Sequence, residues 1–202
     1  MKSEVAVRIG VGRPEATSHA AIEQAAFRLF ARQGFERTTL DAIAADVGVG
    51  RRTLFRYFAS KNDIPWGRFD RTLDGFWEIL ASMPEDLPLH EAVHRGVVAF
   101  NEFPVDAEPP HRERMRLILG TPALQAHSVL RYGQWRRVIA EYVAARRQES
   151  PDDIVPRLVG HVSLALAISA YEQWLADENS SLEELLQCNH AALRAHLGSA
   201  DP

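Results

Sequence analysis

Arg51, Arg52, Thr53 and Arg56 concentrate four hydrogen-bonding side chains in one short stretch of the chain. Arginine's planar fork matches the paired O6 and N7 acceptors of guanine, and a good pair is worth roughly 1–3 kcal/mol of discrimination. Donors of this kind also reach phosphate oxygens, which position a protein without reading sequence. The chemistry on offer is therefore recognition of a polyanion whose base edges carry acceptors. A second constellation competes with it. Residues 90–94 read His-Glu-Ala-Val-His. Two histidines four apart share one helix face and can bind zinc, with the glutamate activating a bound water. A third ligand must come from elsewhere, and the longer metzincin pattern is absent. The short pattern fixes only three positions, and a chain with 8 His meets it readily by chance. It also reads as the polar face of a helix whose inner face is Leu89, Ala92, Val93 and Val97.

The arginines can work only if something fixes them. Leu40, Ile43, Ala44 and Val47 recur at helical spacing, the apolar face of one short helix. Thr38 or Thr39 can cap its first turn. Gly48 stands where a left-handed residue ends a helix, and Gly50 can start the next. On that second helix Leu54 and Phe58 face inward, leaving Arg51, Arg52, Thr53 and Arg56 on its first turn and outer faces. This is the layout of a helix-turn-helix that enters the major groove. An earlier helix opens at Thr17 or Ser18, carries Ile22, Ala26, Leu29 and Phe30, and closes at Gly34. Ser60 opens a fourth helix, with Lys61 placed for a phosphate at its N-terminus. Pro65 and Gly67 predict a bend there. Phe69, Leu73, Phe76, Trp77 and Leu80 then resume a helical stripe.

The run GVGRRTLFRYFASKNDI resembles the signature of the TetR family of transcriptional regulators. It agrees at Thr53, Leu54, Tyr57, Phe58, Ser60 and Lys61. It departs at Arg52, where a small residue is usual, and at Phe55, where a tyrosine commonly bonds to phosphate; that role is not carried over. The continuation SKNDIPWGRFD resembles the mycofactocin-system regulators of the family. The resemblance covers roughly residues 17–65. The helical pattern along nearly the whole chain reads as an all-α protein, with a flexible basic arm over 1–16, where Gly10, Gly12 and Pro14 oppose regular structure; the resemblance implies a three-helix helix-turn-helix domain over 17–64 and a helical ligand-binding and dimerisation domain over 65–202. It implies a double-stranded DNA operator, with Thr38, Thr39, Arg51, Arg52, Thr53, Arg56, Tyr57 and Lys61 as DNA-binding candidates. It also implies a homodimer through residues 152–197 and a repressor released by a small hydrophobic effector, for which the aromatic residues of the body suggest a long acyl or alcohol-like ligand, such as an acyl-CoA.

Composition agrees. The chain has 202 residues, 46% hydrophobic and 25% charged, within the range of globular proteins. Its net charge is −4, unevenly spread: residues 1–65 hold 10 Lys/Arg against 7 Asp/Glu, and the rest holds 13 against 20. A basic head on an acidic body orients a protein on a polyanion. Arg8 and Arg13 on the arm can reach the minor groove or phosphates, or belong to an untethered tail. One cysteine excludes an internal disulfide, as expected of a cytoplasmic protein, and no membrane segment or signal peptide is read. Cys188 reads as a small buried residue. No cofactor is expected.

The body reads as successive helices broken at FPVDAEPP (residues 103–110), Gly120, Pro122 and Ser150-Pro151. Residues 152–176 are apolar nearly all round, as in a helix buried on several sides. Phe69, Phe76, Trp77, Phe100, Phe103, Trp135 and Trp174 are candidates to line an apolar ligand pocket between helices; each also reads as ordinary core. Arg112, Arg114, Arg116, Arg136 and Arg137 can meet an anionic head group or remain solvated. The function expected is a DNA-binding regulator and no enzyme; the alternative is a zinc-dependent hydrolase using His90, Glu91 and His94.

Overall fold

The structure, a computed structural model, describes residues 17–104 and 106–198. Every regular element among them is helical: α1 (His19–Gln33), α2 (Leu40–Asp46), α3 (Arg51–Leu54), a 3-10 turn (Lys61–Trp66), α4 (Phe69–Ala81), α5 (Leu89–Phe100), α6 (His111–Gly120), α7 (Pro122–Arg147), α8 (Ile154–Ala176) and α9 (Leu182–Gly198). The chain divides into two compact units between Ile64 and Pro65. The expected arm over 1–16, with Arg8 and Arg13, lies outside the described residues.

In the first unit, Ser18 caps α1 by accepting from the Ala21 amide at 3.1 Å. Gly34 ends it at φ +84°, a conformation that costs a side-chain-bearing residue strain. Ile22, Ala25, Ala26, Leu29 and Phe30 face inward and are buried. Arg28 bonds Asp46 at 2.7 Å, tying α1 to the end of α2. Thr39, rather than Thr38, caps α2. Gly48 takes φ +70° and Gly50 caps α3 without a side chain, as the spacing predicts. The second helix is shorter than expected. Its regular part ends at Leu54, and tighter turns carry the chain on to Phe58. Leu54 and Phe58 are nonetheless buried, each worth roughly 1.5–3 kcal/mol of apolar burial.

No α-helix opens at Ser60. The Ser60 hydroxyl donates to Asp63 at 2.7 Å, and the chain runs as a 3-10 turn through Pro65. Gly67, at φ +59°, breaks it before α4. A proline inside the segment supplies no amide for an α-helical bond, which is why the predicted bend forms here.

The second unit is a helical bundle whose core includes Phe76, Leu80, Val97, Ile118, Trp135, Ile139 and Tyr171. Pro122 opens α7 at a position where its missing amide costs nothing. Helices α7 and α8 approach closely at Gly160, where an added Cβ would lie 2.8 Å from the Arg136 carbonyl oxygen. Arg146, near the end of α7, donates to the Glu85 and Leu87 carbonyls and fixes the α4–α5 connection. By length and composition α8 could cross a membrane, but it packs in this bundle against α7 and α9. Only 28% of its most apolar 18-residue stretch is buried. Ile154, Leu158 and Ala165 on α8 and Leu197 on α9 are exposed. Cys188 is exposed as well, correcting the expectation of a buried thiol.

Candidate functional site

The structure sorts the eight DNA-binding candidates by what their polar groups are already doing. Arg52 and Arg56 are exposed and make no ion pair among the described residues. Arg51 pairs with Asp41 at 3.1 Å, and its guanidinium lies 5.6 Å from the Phe55 ring centroid. Both partners of that pair are exposed, so it is worth at most about 1 kcal/mol and can be exchanged for another anion. Thr53 stands half-buried on the same short helix. The exposed Phe55 ring sits where the family commonly has a phosphate-binding tyrosine and presents only an apolar face.

The other four are engaged within the unit. Thr38 is 1% exposed; its hydroxyl donates to Gly34 O at 2.9 Å and accepts from Gln33 Nε2 at 3.2 Å. That burial removes it from any surface and makes it a brace of the α1–α2 turn. Thr39 spends its oxygen on the α2 cap. Lys61 Nζ donates to the carbonyls of Phe35 (2.7 Å), Thr38 (3.0 Å) and Glu36 (3.4 Å), and sits 4.2 Å from the Phe35 ring centroid. All three ammonium donors are thus directed at backbone, not at an outside phosphate. Tyr57 donates to Thr17 O at 2.9 Å, and its ring meets His19 edge-on. Spacing could not reveal these engagements, because the carbonyls involved lie 23–26 residues before Lys61 and 40 before Tyr57.

Most of the aromatic set packs in or against the hydrophobic core of the second unit. Phe76, Phe100 and Trp135 form a core cluster, with Phe76 to Phe100 at 4.4 Å and Phe76 to Trp135 at 5.3 Å. Phe69 is buried against Trp66. Phe103 stacks on His111 at 3.5 Å, and Trp174 lies under the Arg112 guanidinium at 4.1 Å. Trp77 is 40% exposed. Helical spacing marks inward faces, but core and ligand wall look the same in sequence. The arginines divide likewise. Arg112 caps the end of α8 by donating to the Trp174 and Asp177 carbonyls, and Arg114 donates to Pro65 O. Arg137 pairs with Glu141 and Asp152, which hold its guanidinium above the usual arginine range.

A cavity of about 470 Å³ opens between α5, α8 and α9, lined by aliphatic side chains together with His90, His94, His190 and Arg194. Here the zinc reading fails. His94 and His190 stack at 3.9 Å, only 7° from parallel, and His190 lies 6.3 Å from His90 at 15°. Stacked rings meet face to face, whereas zinc requires ring nitrogens converging at about 2.0–2.1 Å. Glu91 is held by Arg95 at 2.8 Å, which lowers its pKa and takes up the carboxylate the motif would need as base. Among the described residues, no group of three or more His, Cys, Asp or Glu is placed to hold a metal. Burial, then the neighbouring imidazole, lowers the pKa of His94; burial, then Arg194, lowers that of His190.

A compact three-helix unit presenting exposed arginines at the start of its third helix, followed by a larger helical unit, defines a helix-turn-helix transcriptional regulator. Comparison with known proteins makes the class specific. The family described as "Bacterial regulatory proteins, tetR family" matches residues 22–64, and "MftR C-terminal domain" matches residues 87–198. The chain belongs to the TetR family. It is 44% identical to the protein assigned as mycofactocin biosynthesis transcriptional regulator MftR of Mycobacterium tuberculosis, over 87% of this chain and 89% of that one. It is 30% identical to the HTH-type transcriptional regulator TcmR of Streptomyces glaucescens, over 83% of this chain and 77% of that one. Among solved structures, Thermus thermophilus FadR, a TetR-family repressor in complex with lauroyl-CoA, superposes with a TM-score of 0.60 at 20% identity, covering 92% of this chain and 97% of that one. The protein is therefore a DNA-binding transcriptional regulator and not an enzyme.

Proposed function

We propose that the protein is a repressor that binds a palindromic operator as a homodimer paired through residues 152–197, and that a small hydrophobic effector held in the unit 65–202 releases it. The observation that carries the reading is the free pair Arg52 and Arg56 beside exchangeable Arg51, held on a turn anchored by fully buried Leu54. Long cationic donors fixed by an apolar anchor are what major-groove reading needs. Thr53 completes the base-reading face, and Thr39 stands at the start of the neighbouring helix. Tyr57 and Lys61 hold that face in place. The exposed apolar residues of α8 and α9 support the homodimer, since one short helix reads few base pairs and a two-fold pair reads two half-sites.

The effector class to test first is a long-chain acyl-CoA, because the Thermus FadR neighbour was solved with lauroyl-CoA. A regulator of this kind works in the cytoplasm, where the DNA is. The test is binding to DNA from upstream of the protein's own gene, followed by fluorescence anisotropy with and without acyl-CoA. Salt-dependent binding to one palindromic fragment, weakened by acyl-CoA, is expected. Equal affinity for all fragments would refute operator recognition.

A further inference from the structure

The cavity of about 470 Å³ between α5, α8 and α9 has the size of a small-molecule site, roughly 300–1,000 Å³. Its walls are graded along the helices. Val97, Ala167 and Leu186 close one end and are buried, whereas Leu158 and Leu197 stand exposed at the other. Asn189 Nδ2 donates to Leu166 O at 3.3 Å and ties α9 to α8 beside it. An aliphatic chain that leaves water for such walls gains roughly fourfold in affinity per buried CH₂.

The polar side chains on these walls are donors. His90 and His94 come from α5, His190 and Arg194 from α9 and Ser163 from α8, and no acidic residue lines the cavity. His94 and His190 stack at 3.9 Å, with His90 6.3 Å from His190. Their ring nitrogens make no hydrogen bond among the described residues, and even a neutral imidazole keeps one N–H to donate. Arg194 follows His190 by one helical turn, is exposed, and makes no ion pair among the described residues. After burial it is the next cause of the lowered His190 pKa, which places its guanidinium beside the stack. The Glu91 carboxylate, next to His90 in the chain, is held by Arg95 at 2.8 Å. A cation and several donors at the rim of an apolar cavity, with no anion of the protein's own on its walls, suit an amphiphile with a negative head.

We infer that the cavity between α5, α8 and α9 binds an aliphatic carboxylate, its chain between the three helices and its head on Arg194 and the histidines at the rim. The inference rests on the effector reading above for its part in regulation, and gives the ligand a place and a charge that a thioester lacks. The full-length protein is titrated, without DNA, with octanoate, 1-octanol and octylammonium by isothermal titration calorimetry. Octanoate binds about tenfold more tightly than octanol, the value of one charge-assisted contact, and octylammonium binds more weakly than either. Arg194→Gln, at an exposed position, brings octanoate and octanol close to parity and leaves octanol affinity unchanged. Val162→Phe, which fills the cavity from α8, weakens both. Wild-type protein that binds octanol or octylammonium as tightly as octanoate overturns the inference. So does an octanoate preference that survives in Arg194→Gln, and so does wild-type protein that binds no octanoate, the result expected where side chains of a second copy fill the cavity. The same variants are then assayed on operator DNA. Octanoate that binds through Arg194 and leaves the operator complex intact refutes the effector reading and leaves the site standing. A ligand that releases the operator equally from wild type and both variants refutes this cavity as the effector's site and leaves the regulator standing.

Discussion

At the scale of single residues, the chain separates cations that are available from cations that are spent. Arg52 and Arg56 are available, so Arg52→Ala with Arg56→Ala should weaken operator binding by roughly tenfold or more while leaving thermal stability within about 0.5 kcal/mol. Anisotropy and thermal melts read the two quantities separately; wild-type affinity would remove these residues from the interface. Lys61 is spent. Lys61→Met should cost about 1.5–3 kcal/mol of stability, because the three carbonyls of the α1–α2 turn lose a charged donor. Thr38 belongs with Lys61 in this respect, although both stand within the family signature region. His111 sets a pH dependence. Its pKa is lowered from 6.5 to about 3 by burial, so the unfolded state binds the proton more readily than the folded one. The stability of the neutral ring is fully present above pH 6.5 and is lost as pH falls from there toward 3. The slope is roughly 1.4 kcal/mol per pH unit at most. Burial lowers His94 and His190 in the same direction. Chemical denaturation between pH 7 and 4.5 should show the decline, and His111→Gln should flatten it.

At the scale of elements, close approach decides what can change. Gly160 lies against the Arg136 carbonyl, a backbone atom that cannot rotate aside, so Gly160→Ala should destabilise by about 1–3 kcal/mol through separation of α7 and α8. Urea unfolding reads this directly, and an unchanged midpoint would mean the helices adjust freely. Much of the element order was legible because amphipathic spacing, capping residues and glycine stops are local. The Ser18 and Thr39 caps, the turn at Gly48, the bend at Pro65 and Gly67, and the breaks at 103–110 and 120–122 all write themselves into a few neighbouring residues. The partners of Lys61 and Tyr57 were illegible, since they depend on how distant segments meet. So was the stacking of His90, His94 and His190: the motif places two histidines on one helix but says nothing of the third, which α9 supplies.

At the scale of the whole molecule, the exposed faces of α8 and α9 carry the contact in the proposed homodimer. Leu158 and Ala165 lie seven residues apart on α8, hence on one face, and both are exposed. Cys188, Ala191, Ala192 and Ala195 are exposed on α9, which packs beside α8. Large apolar contacts left open on one helix and small residues on its neighbour suit close packing against the same pair in a partner, with a two-fold axis between them. A stable interface of that kind needs on the order of 1,200–2,000 Å² of total buried surface. Introducing charge there should separate the copies without unfolding either one. Leu158→Asp with Ala165→Asp should sediment as a monomer at micromolar concentration with a helical circular dichroism spectrum like that of the wild type. It should lose operator affinity by about a hundredfold or more, since each monomer then engages one half-site alone. A monomeric variant that binds the palindrome as well as wild type would separate dimerisation from DNA reading, and a variant that stays dimeric would place the interface elsewhere on the bundle.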